Sequence, residues 1–520
     1  MQTRRQFVTG TGGAALAAVL APQALAAGLT SARRAPLLRH VAFDQGVMSG
    51  DPAPHAITLL THAGGGGGTG ALRLEVAADK GFAKVVAHET VRTSAALGHM
   101  AKARVTGLKP GHDYFFRFDS RDGHSPVGRF RTAPAAGSKE PIRFAMVSCM
   151  EYTFGWYNAL AALAREKDLD FVLQLGDYIY ADVAFPPPYG VRRDPNQVAT
   201  SLQQFRDKYA LYRTDRDLQA AQAATAWINL WDDHEVQNNW AGGDPAGGEV
   251  TSAFDPARKA NGMKAFFEQQ PTYSAGGATR LYHRAAFGGL MDLFVLDERQ
   301  YRSRQPCGQD TIPVCADASN PDLHMLGTAQ MSFVQGGLRA SKARWKVIAN
   351  EVQITRRLEA DGSSGVDDRD AWGGYLVERE ALLRTARDTP GTVFCTGDIH
   401  EFIAGTARLA DGTAAAPEVC GSSVSSLSTT VETHTLVGDP GWGTLEHPIE
   451  PAAVHAARLA HNPEWAYLDG EHHGYVVCEV APDRFQATMR KMRTIKSRTT
   501  AQLAPTVARV EHGNPLLTVS

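Results

Sequence analysis

The chain has 520 residues, of which 43% are hydrophobic, so it can build the core of more than one domain. Its formal net charge is −2 and its isoelectric point is about 6.8, which argues against a nucleic-acid-binding domain. Six cysteines are too few for a disulfide framework in a chain of this length.

The first 27 residues have the features of an export signal. Arg4 and Arg5 precede a soft apolar run at 8–20, and the Ala-Leu-Ala sequence at 24–26 fits a small-residue cleavage site. The run is too short and too rich in glycine for a stable membrane span, and no later run is long enough, so we predict no transmembrane segment. The context TRRQF resembles a twin-arginine signal, whose partner is the twin-arginine export machinery; an ordinary secretory signal is the alternative. Either signal predicts a periplasmic or secreted protein.

A domain at 40–135 is predicted to consist of strands. Short apolar runs recur at the spacing of a β-sandwich, with candidate strands at 56–61, 72–77, 101–105, 114–118 and 127–132. The string GLKPGHDYFFRF at 107–118 resembles the turn and strand of fibronectin-III-like modules. Linker composition at 133–141 then predicts a domain boundary.

The rest of the chain, 141–520, alternates strand-like with helix-like segments, which predicts the α/β class. The predicted strands are 142–147, 171–175, 226–231, 289–296, 345–349 and 392–396, with a hairpin at 474–480 and 484–491. The predicted helices are 157–165, 202–213, 218–224, 257–267, 329–340 and 378–388. Sheets covered by helices are therefore expected.

Five of these apolar strands end at a residue that can bind a metal or transfer a proton. In chain order the residues are Cys149, then Asp177 with Tyr180, then Asp233 with His234, then Asn350, and finally Asp398 with His400. Open α/β sheets place their ligands at the carboxyl ends of the strands, and neighbouring strands are about 5 Å apart. We therefore expect these side chains to converge on one site.

Several residues next to these positions have two interpretations. Asp232 and Asp233 are adjacent, and alternation of side chains favours Asp233 as the ligand. His472 and His473 either approach the site or belong to a surface loop, and the loop is favoured. Cys307 and Cys315 bracket a short loop and form the favoured disulfide of an exported chain.

Three motifs together resemble a known family. GDYIY at 176–180, WDDHEVQNN at 231–239 and GDIHEF at 397–402, in this order after an SC strand end, are similar to those of PhoD-type alkaline phosphatases. These enzymes are metallophosphoesterases related to purple acid phosphatases. The resemblance extends to the leader and to FDQGVMSGDP at 43–52. It implies a four-layer αββα metallophosphoesterase sandwich that follows an N-terminal fibronectin-III-like β-sandwich domain.

The resemblance also implies a role for each residue. Cys149 and His400 would bind iron, Tyr180 would bind Fe³⁺ as a phenolate, and Asp177 would bridge the metals. Asp233 and Asp398 would bind the divalent side, expected to be Ca²⁺, and His234 would donate a proton to the leaving alkoxide. Family members commonly have Asn-Gln where this chain has Asn350-Glu351, which leaves open whether either or both side chains reach the site.

The donor chemistry agrees with a mixed-metal hydrolase. Thiolate, phenolate and imidazole suit iron, whereas carboxylate and amide oxygens suit calcium. Metal-bound hydroxide would attack a phosphate ester, and phosphomonoesters are the favoured substrates. A phosphodiesterase or phospholipase D-like hydrolase is the close alternative. A non-haem iron oxidoreductase is an alternative of another class, disfavoured because a grouping of two histidines and one carboxylate is lacking.

Overall fold

The structure is a computed structural model that describes residues 36–520 apart from 66–67, 186, 197, 243–254, 274–278, 309–315, 359–369 and 429. The predicted export signal and Cys315 lie outside the described residues. Cys307 is disulfide-bonded.

The described strands of the N-terminal part are β1 Val47–Ala53, β2 Ala56–His62, β3 Gly70–Ala77, β4 Val85–Thr93, β5 Met100–Thr106, β6 Asp113–Asp119 and β7 Gly128–Arg131. Those of the larger part are β8 Ile142–Val147, β9 Phe171–Leu175, β10 Ala226–Leu230, β11 His283–Phe287, β12 Met291–Val295, β13 Trp345–Asn350, β14 Thr392–Thr396, β15 Phe402–Arg408, β16 Ala414–Cys420, β17 Gly443–Thr444, β18 His447–Pro448, β19 Trp465–Asp469, β20 Gly474–Val480, β21 Arg484–Lys491, β22 Thr506–Glu511 and β23 Thr518–Val519. The described α-helices are α1 Asn158–Leu163, α2 Leu202–Tyr212, α3 Arg216–Ala224, α4 Pro256–Gln269, α5 Gly327–Ala340, α6 Leu376–Arg387, α7 Val431–Leu436 and α8 Ala452–His461.

Local sequence signals explain where several helices begin. Ser201 and Gln204 form a reciprocal capping box at the start of α2, and the Asp215 carboxylate caps α3. Asp255 caps α4, and Pro256 occupies its first turn, where a missing N–H costs nothing. The six predicted helices are confirmed with small differences at their ends.

Two large sheets face each other across the main core. The ten-stranded sheet has the order β23-β22-β21-β20-β8-β9-β10-β1-β2-β5, and the seven-stranded sheet has the order β11-β12-β13-β14-β16-β15-β19. Apolar residues of both sheets, among them Phe144, Leu173 and Val347, fill the space between them. Helices α1 to α3 cover the outside of the first sheet, and α5 and α6 cover the outside of the second. The predicted four-layer αββα architecture is confirmed.

The strands of the N-terminal part belong to two sheets, and one of these sheets continues into the larger part of the chain. Strands β4-β3-β6-β7 form their own sheet, whereas β1, β2 and β5 continue the ten-stranded sheet. The connection is parallel pairing of β1 with β10, with Gly50 opposite Trp227. Gly50 permits this close approach, because a Cβ there would lie 2.8 Å from the carbonyl oxygen of Trp227. The predicted division at 40–135 and 141–520 therefore cuts across a continuous sheet.

Lys102 on β5 stabilises this junction and leads to a test. Its Nζ donates to the carbonyls of Phe267 and Gln270, at 2.9 and 2.8 Å, at the end of α4. Burial lowers the pKa of Lys102 to about 8, from 10.5. A lysine whose pKa is lower in the folded state loses its buried charge as pH rises from about 8 to 10.5, while the unfolded chain keeps it. The wild-type free energy of unfolding should therefore rise relative to that of Lys102→Met by about 1–2 kcal/mol across this window. This is less than the full pKa shift would give, because Lys102 is of intermediate burial and solvent screens part of its charge.

Denaturant unfolding of both proteins at pH 7.5 and pH 10.5 measures this difference. Lys84→Met on the exposed rim of the same domain is the control. A wild-type advantage that stays constant with pH would contradict the assigned titration.

Candidate metal centre

The predicted ligands follow strands from both sheets, and the carboxyl ends of these strands meet. Cys149 and Asp177 lie two residues after β8 and β9, and Asp233 lies three residues after β10; these strands pair in parallel in that order. Asp398 and His400 follow β14 of the other sheet. The two sheets touch here, since a Cβ on Gly397 would lie 2.5 Å from the carbonyl oxygen of Leu175.

The backbone at these strand ends is unusual. Cys149, Asp177, Asp398 and His400 have φ values of 57°, 58°, 61° and 58°, in the left-handed region that non-glycine residues rarely adopt. Such conformations persist where the surrounding structure enforces them, and they concentrate at functional sites. Gly176, with φ 93°, must be glycine because a Cβ there would lie 2.4 Å from the Cβ of Asp232.

These turns bring the side chains together. Among the described residues, ligand atoms lie within 4.8 Å of one another in three groups, which are Cys149 with Asp177 and His400, Asp177 with Asp233 and His234, and Asp232 with Asp233 and Asp398. Asp177 joins the first two groups and Asp233 joins the last two. Tyr180 belongs to the same cluster, with its Oη 3.1 Å from His400 Nε2. The predicted convergence is present for the strand ends that carry Cys149, Asp177, Asp233 and Asp398.

The cluster has an excess of buried negative charge. Burial, followed by repulsion from Asp233, raises the pKa of Asp177 well above its usual value. Burial, followed by the Asp232 carboxylate, does the same to the pKa of Asp398. Burial also raises the pKa of the Cys149 thiol. Anionic donors packed this closely fit bound cations, whose charge would favour the ionised form of each group.

His400 has the properties of a neutral ligand. Its Nδ1–H donates to the carbonyl of Leu427 at 2.6 Å, which leaves Nε2 with its lone pair toward the cluster. Burial lowers the pKa of His400 to about 4. The imidazole is therefore uncharged at neutral pH and can donate electrons to a cation.

His234 has the opposite properties. Burial alone lowers its pKa, but the carboxylates of Asp233, Asp182 and Asp177 outweigh burial and raise the pKa of His234 well above 6.5. Its Nδ1 lies 2.7 Å from Asp182 Oδ1, and its ring stacks on Tyr180 with 4.1 Å between ring centres. The Asp182 contact and the Tyr180 stacking hold the His234 ring in one orientation, and the surrounding carboxylates favour its protonated form.

Glu235 ties two of the turns together. Its carboxylate accepts the backbone N–H groups of Asp177 at 3.0 Å, Tyr178 at 2.6 Å and Asp232 at 2.7 Å. These bonds fix the turn after β9 relative to the turn after β10. Asp232 Oδ1 is paired with the Arg299 guanidinium, while both oxygens of Asp233 accept backbone N–H groups, from His234 at 2.9 Å and from Asn239 at 2.6 Å. The choice of Asp233 over Asp232 as the ligand stays a prediction.

Asn350 and Glu351 are already bonded to protein groups. The Asn350 amide oxygen accepts from Trp372 Nε1 at 3.1 Å, and its nitrogen donates to Thr396 and Val352. The Glu351 carboxylate accepts the N–H of Glu298. These bonds join both side chains to groups other than the predicted ligands, and the role of Asn350 as a ligand stays a prediction.

Sequence reasoning missed two residues of the site. Arg299 is fully buried, and its Nη2 lies 2.7 Å from Asp370 Oδ2 and 3.9 Å from Asp233 Oδ1 and Asp398 Oδ1. Arg299 comes three residues after the predicted strand at 289–296, so its position near a strand end was a signal that could have identified it. Asp182, which holds His234, lies five residues after Asp177 and two residues beyond the GDYIY motif.

The described residues include no helix with the length and apolar character to cross a membrane.

Two family models match the chain, "PhoD-like phosphatase" over residues 144–489 and "PhoD-like phosphatase, N-terminal domain" over 29–134. Alkaline phosphatase D of Bacillus subtilis (strain 168) is 31% identical over 509 residues, which cover 94% of this chain and 84% of that protein. The chain belongs to the PhoD-like phosphatase family. As a member it is a phosphoric ester hydrolase, and the predicted family and enzyme class are confirmed.

Solved structures agree with this membership. A PhoD structure superposes with a TM-score of 0.82 at 28% identity and covers 93% of both chains. The purple acid phosphatase PPD1 from yellow lupin (Lupinus luteus) seeds has a TM-score of 0.55 at 12% identity, and the match covers 89% of this chain and 74% of that one. At that identity the likeness shows the fold alone. The PhoD-like fold is thus the metallophosphoesterase sandwich expected from the motifs.

Proposed function

We propose that this PhoD-like phosphatase is an exported phosphomonoesterase that uses a mixed centre of iron and calcium. The observation that carries the proposal is the set of three overlapping ligand groups in which Asp177 and Asp233 are shared. A carboxylate has two oxygens and can bind two cations at once, so shared carboxylates suit adjacent metals. Export is inferred from the leader at 1–27, with twin-arginine transport and a periplasmic or secreted location as the expected consequences.

The donor set divides into two kinds. Cys149, Tyr180 and His400 supply the softer thiolate, the phenolate and the imidazole that suit Fe³⁺, with Asp177 between the two sides. Asp233 and Asp398 supply hard oxygens that suit Ca²⁺, and Asn350 is the predicted amide ligand on that side. Bound cations would neutralise phosphate oxygens and lower the pKa of a coordinated water.

His234 and Asp182 would perform the proton transfer. The imidazolium of His234 would donate a proton to the oxygen of the departing alcohol, and this proton transfer would prevent the build-up of alkoxide charge. Asp182 holds Nδ1, which fixes the ring so that Nε2 carries the transferable proton. The side chain of Asp398 is 24% exposed while that of Asp177 is buried, so substrate would enter from the Asp398 side.

A comparison of substrates tests the proposed specificity. Purified protein is assayed side by side on an alkyl phosphomonoester, a phosphodiester and phosphatidylcholine vesicles, with release of phosphate, alcohol and choline measured separately. We expect the highest kcat/KM on the monoester. Preference for the diester would replace the proposal with a phosphodiesterase, and choline release from vesicles would replace it with a phospholipase D-like enzyme.

A further inference from the structure

A buried loop rich in serine lies behind the proposed iron side of the centre. This serine loop, Gly421–Ser428 with the sequence GSSVSSLS, follows β16 and packs against the residues after β8. Its serines Ser422, Ser423, Ser425 and Ser426 are at most 1% exposed. Buried hydroxyl groups require hydrogen-bond partners, so the bonds that these serines make indicate what the loop does.

Ser426 contacts one of the proposed ligands directly. Its Oγ lies 2.6 Å from Tyr180 Oη and 2.9 Å from the carbonyl of Cys149, and the N–H of Glu151 donates to it at 3.2 Å. A phenolate oxygen has no hydrogen and can only accept. With Tyr180 bound as a phenolate, the Ser426 hydroxyl is therefore the donor in the shorter of the two contacts.

The position of Ser426 is fixed from the opposite side. Its carbonyl accepts from Ser423 Oγ at 2.8 Å and from His473 Nε2 at 2.8 Å. His473 is 5% exposed, so this histidine belongs to the support of the site and not to the surface loop that the sequence favoured. Because both bonds hold the Ser426 backbone, its hydroxyl has little freedom to follow a displaced phenol.

The same loop also holds His400. The Leu427 carbonyl accepts from His400 Nδ1–H at 2.6 Å, and Ser422 Oγ donates to the His400 carbonyl at 3.0 Å. One loop therefore touches Cys149, Tyr180 and His400, the three ligands assigned to iron. It touches the thiol residue only through the backbone carbonyl, whereas Ser426 reaches the donor atom of Tyr180 itself.

We propose that Ser426 is a positioning residue that donates a hydrogen bond to the Tyr180 phenolate. This bond holds the phenolate toward the metal and reduces the electron donation from the phenolate to the metal. The inference rests on the proposed iron centre. A hydrogen bond to an anionic ligand stabilises the charge on that ligand. Its removal should raise the energy of the phenolate electrons and shift the phenolate-to-iron(III) charge-transfer band to longer wavelength.

Visible absorption spectra of natively exported wild type, Ser426→Ala, Ser425→Ala and Tyr180→Phe test this. Ser425 is the matched control, because it is equally buried in the same loop but donates to the Glu151 carbonyl at 2.6 Å and not to a ligand. We expect a band in wild type that is absent in Tyr180→Phe, unmoved in Ser425→Ala and shifted to longer wavelength in Ser426→Ala. Ser426→Gly also lacks the hydroxyl and adds no bulk, so it carries the same prediction if the alanine variant does not fold.

The outcomes separate this inference from the proposed function. A wild-type protein without a band lost in Tyr180→Phe would overturn the iron–phenolate centre and the role of Ser426 with it. A wild-type band that is lost in Tyr180→Phe but unmoved in Ser426→Ala would leave the iron centre intact and overturn the role of Ser426. Equal shifts in Ser425→Ala and Ser426→Ala would assign the effect to general loosening of the loop and also overturn it.

Discussion

Asp177→Asn should lower kcat/KM for a phosphomonoester by on the order of 10³-fold and remove at least one metal from the protein. Asp177 belongs to two of the three ligand groups, and among the described residues it is the carboxylate that connects the proposed iron side to His234 and Asp233. Asparagine keeps the shape of the side chain but removes its charge and one anionic oxygen. The measurement is kcat/KM together with metal content for each chain.

The metal-free forms provide an independent check of the same substitution. Without cations, Asp177 is repelled by neighbouring carboxylates, so metal-free Asp177→Asn should unfold at a temperature equal to or above that of metal-free wild type. Asp292→Asn is the control for neutralising a buried carboxylate elsewhere, since Asp292 pairs with Arg284. Wild-type metal content and activity in Asp177→Asn would contradict the bridging role.

His234→Asn should have an effect that depends on the leaving group. Alkyl phosphates release a strongly basic alkoxide that needs a proton, and for them kcat should fall by about 10²–10⁴-fold. Aryl phosphates with electron-withdrawing groups release a weakly basic phenolate, and for them kcat should fall much less. The slope of log kcat/KM against the pKa of the leaving alcohol should therefore be steeper in the variant than in wild type.

Two further substitutions separate proton donation from other roles of His234. Asp182→Asn keeps the imidazole but removes its anionic partner, so its slope should lie between those of wild type and His234→Asn. His472→Asn alters a partly exposed histidine bonded to Asp469 and should leave the slope unchanged. An equal loss for alkyl and aryl esters in His234→Asn would show that this residue binds substrate or metal and donates no proton in the rate-limiting step.

The strands that carry the site were predictable because their sequences are short apolar runs with a sharp end. Strands β8, β9 and β14 have the predicted limits, and each run ends where a turn places a polar residue. Strands β1 and β16 were not predicted, since the first contains Gly50 and Pro52 and the second contains Pro417. These residues disfavour strands unless tertiary pairing supports them.

The site was predictable only in part, for a similar reason. Asp177 and His400 lie two and four residues after the ends of predicted strands, so the strand pattern was enough to mark them as candidates, although the two strands belong to different sheets. The residues that position the predicted ligands depend on contacts between segments that are distant in the sequence. Arg299 meets Asp232 across 67 residues, and Ser426 meets Tyr180 across 246 residues. No local pattern encodes such pairings, and the serine loop by itself has the composition of an ordinary turn.

The metal content of natively exported, active protein tests the proposed centre most directly. Elemental analysis before and after chelation, with phosphomonoesterase activity measured on the same samples, should find iron and calcium bound to the chain and activity lost with them. Full activity in protein that contains no bound metal would contradict a catalytic metal centre at these strand ends.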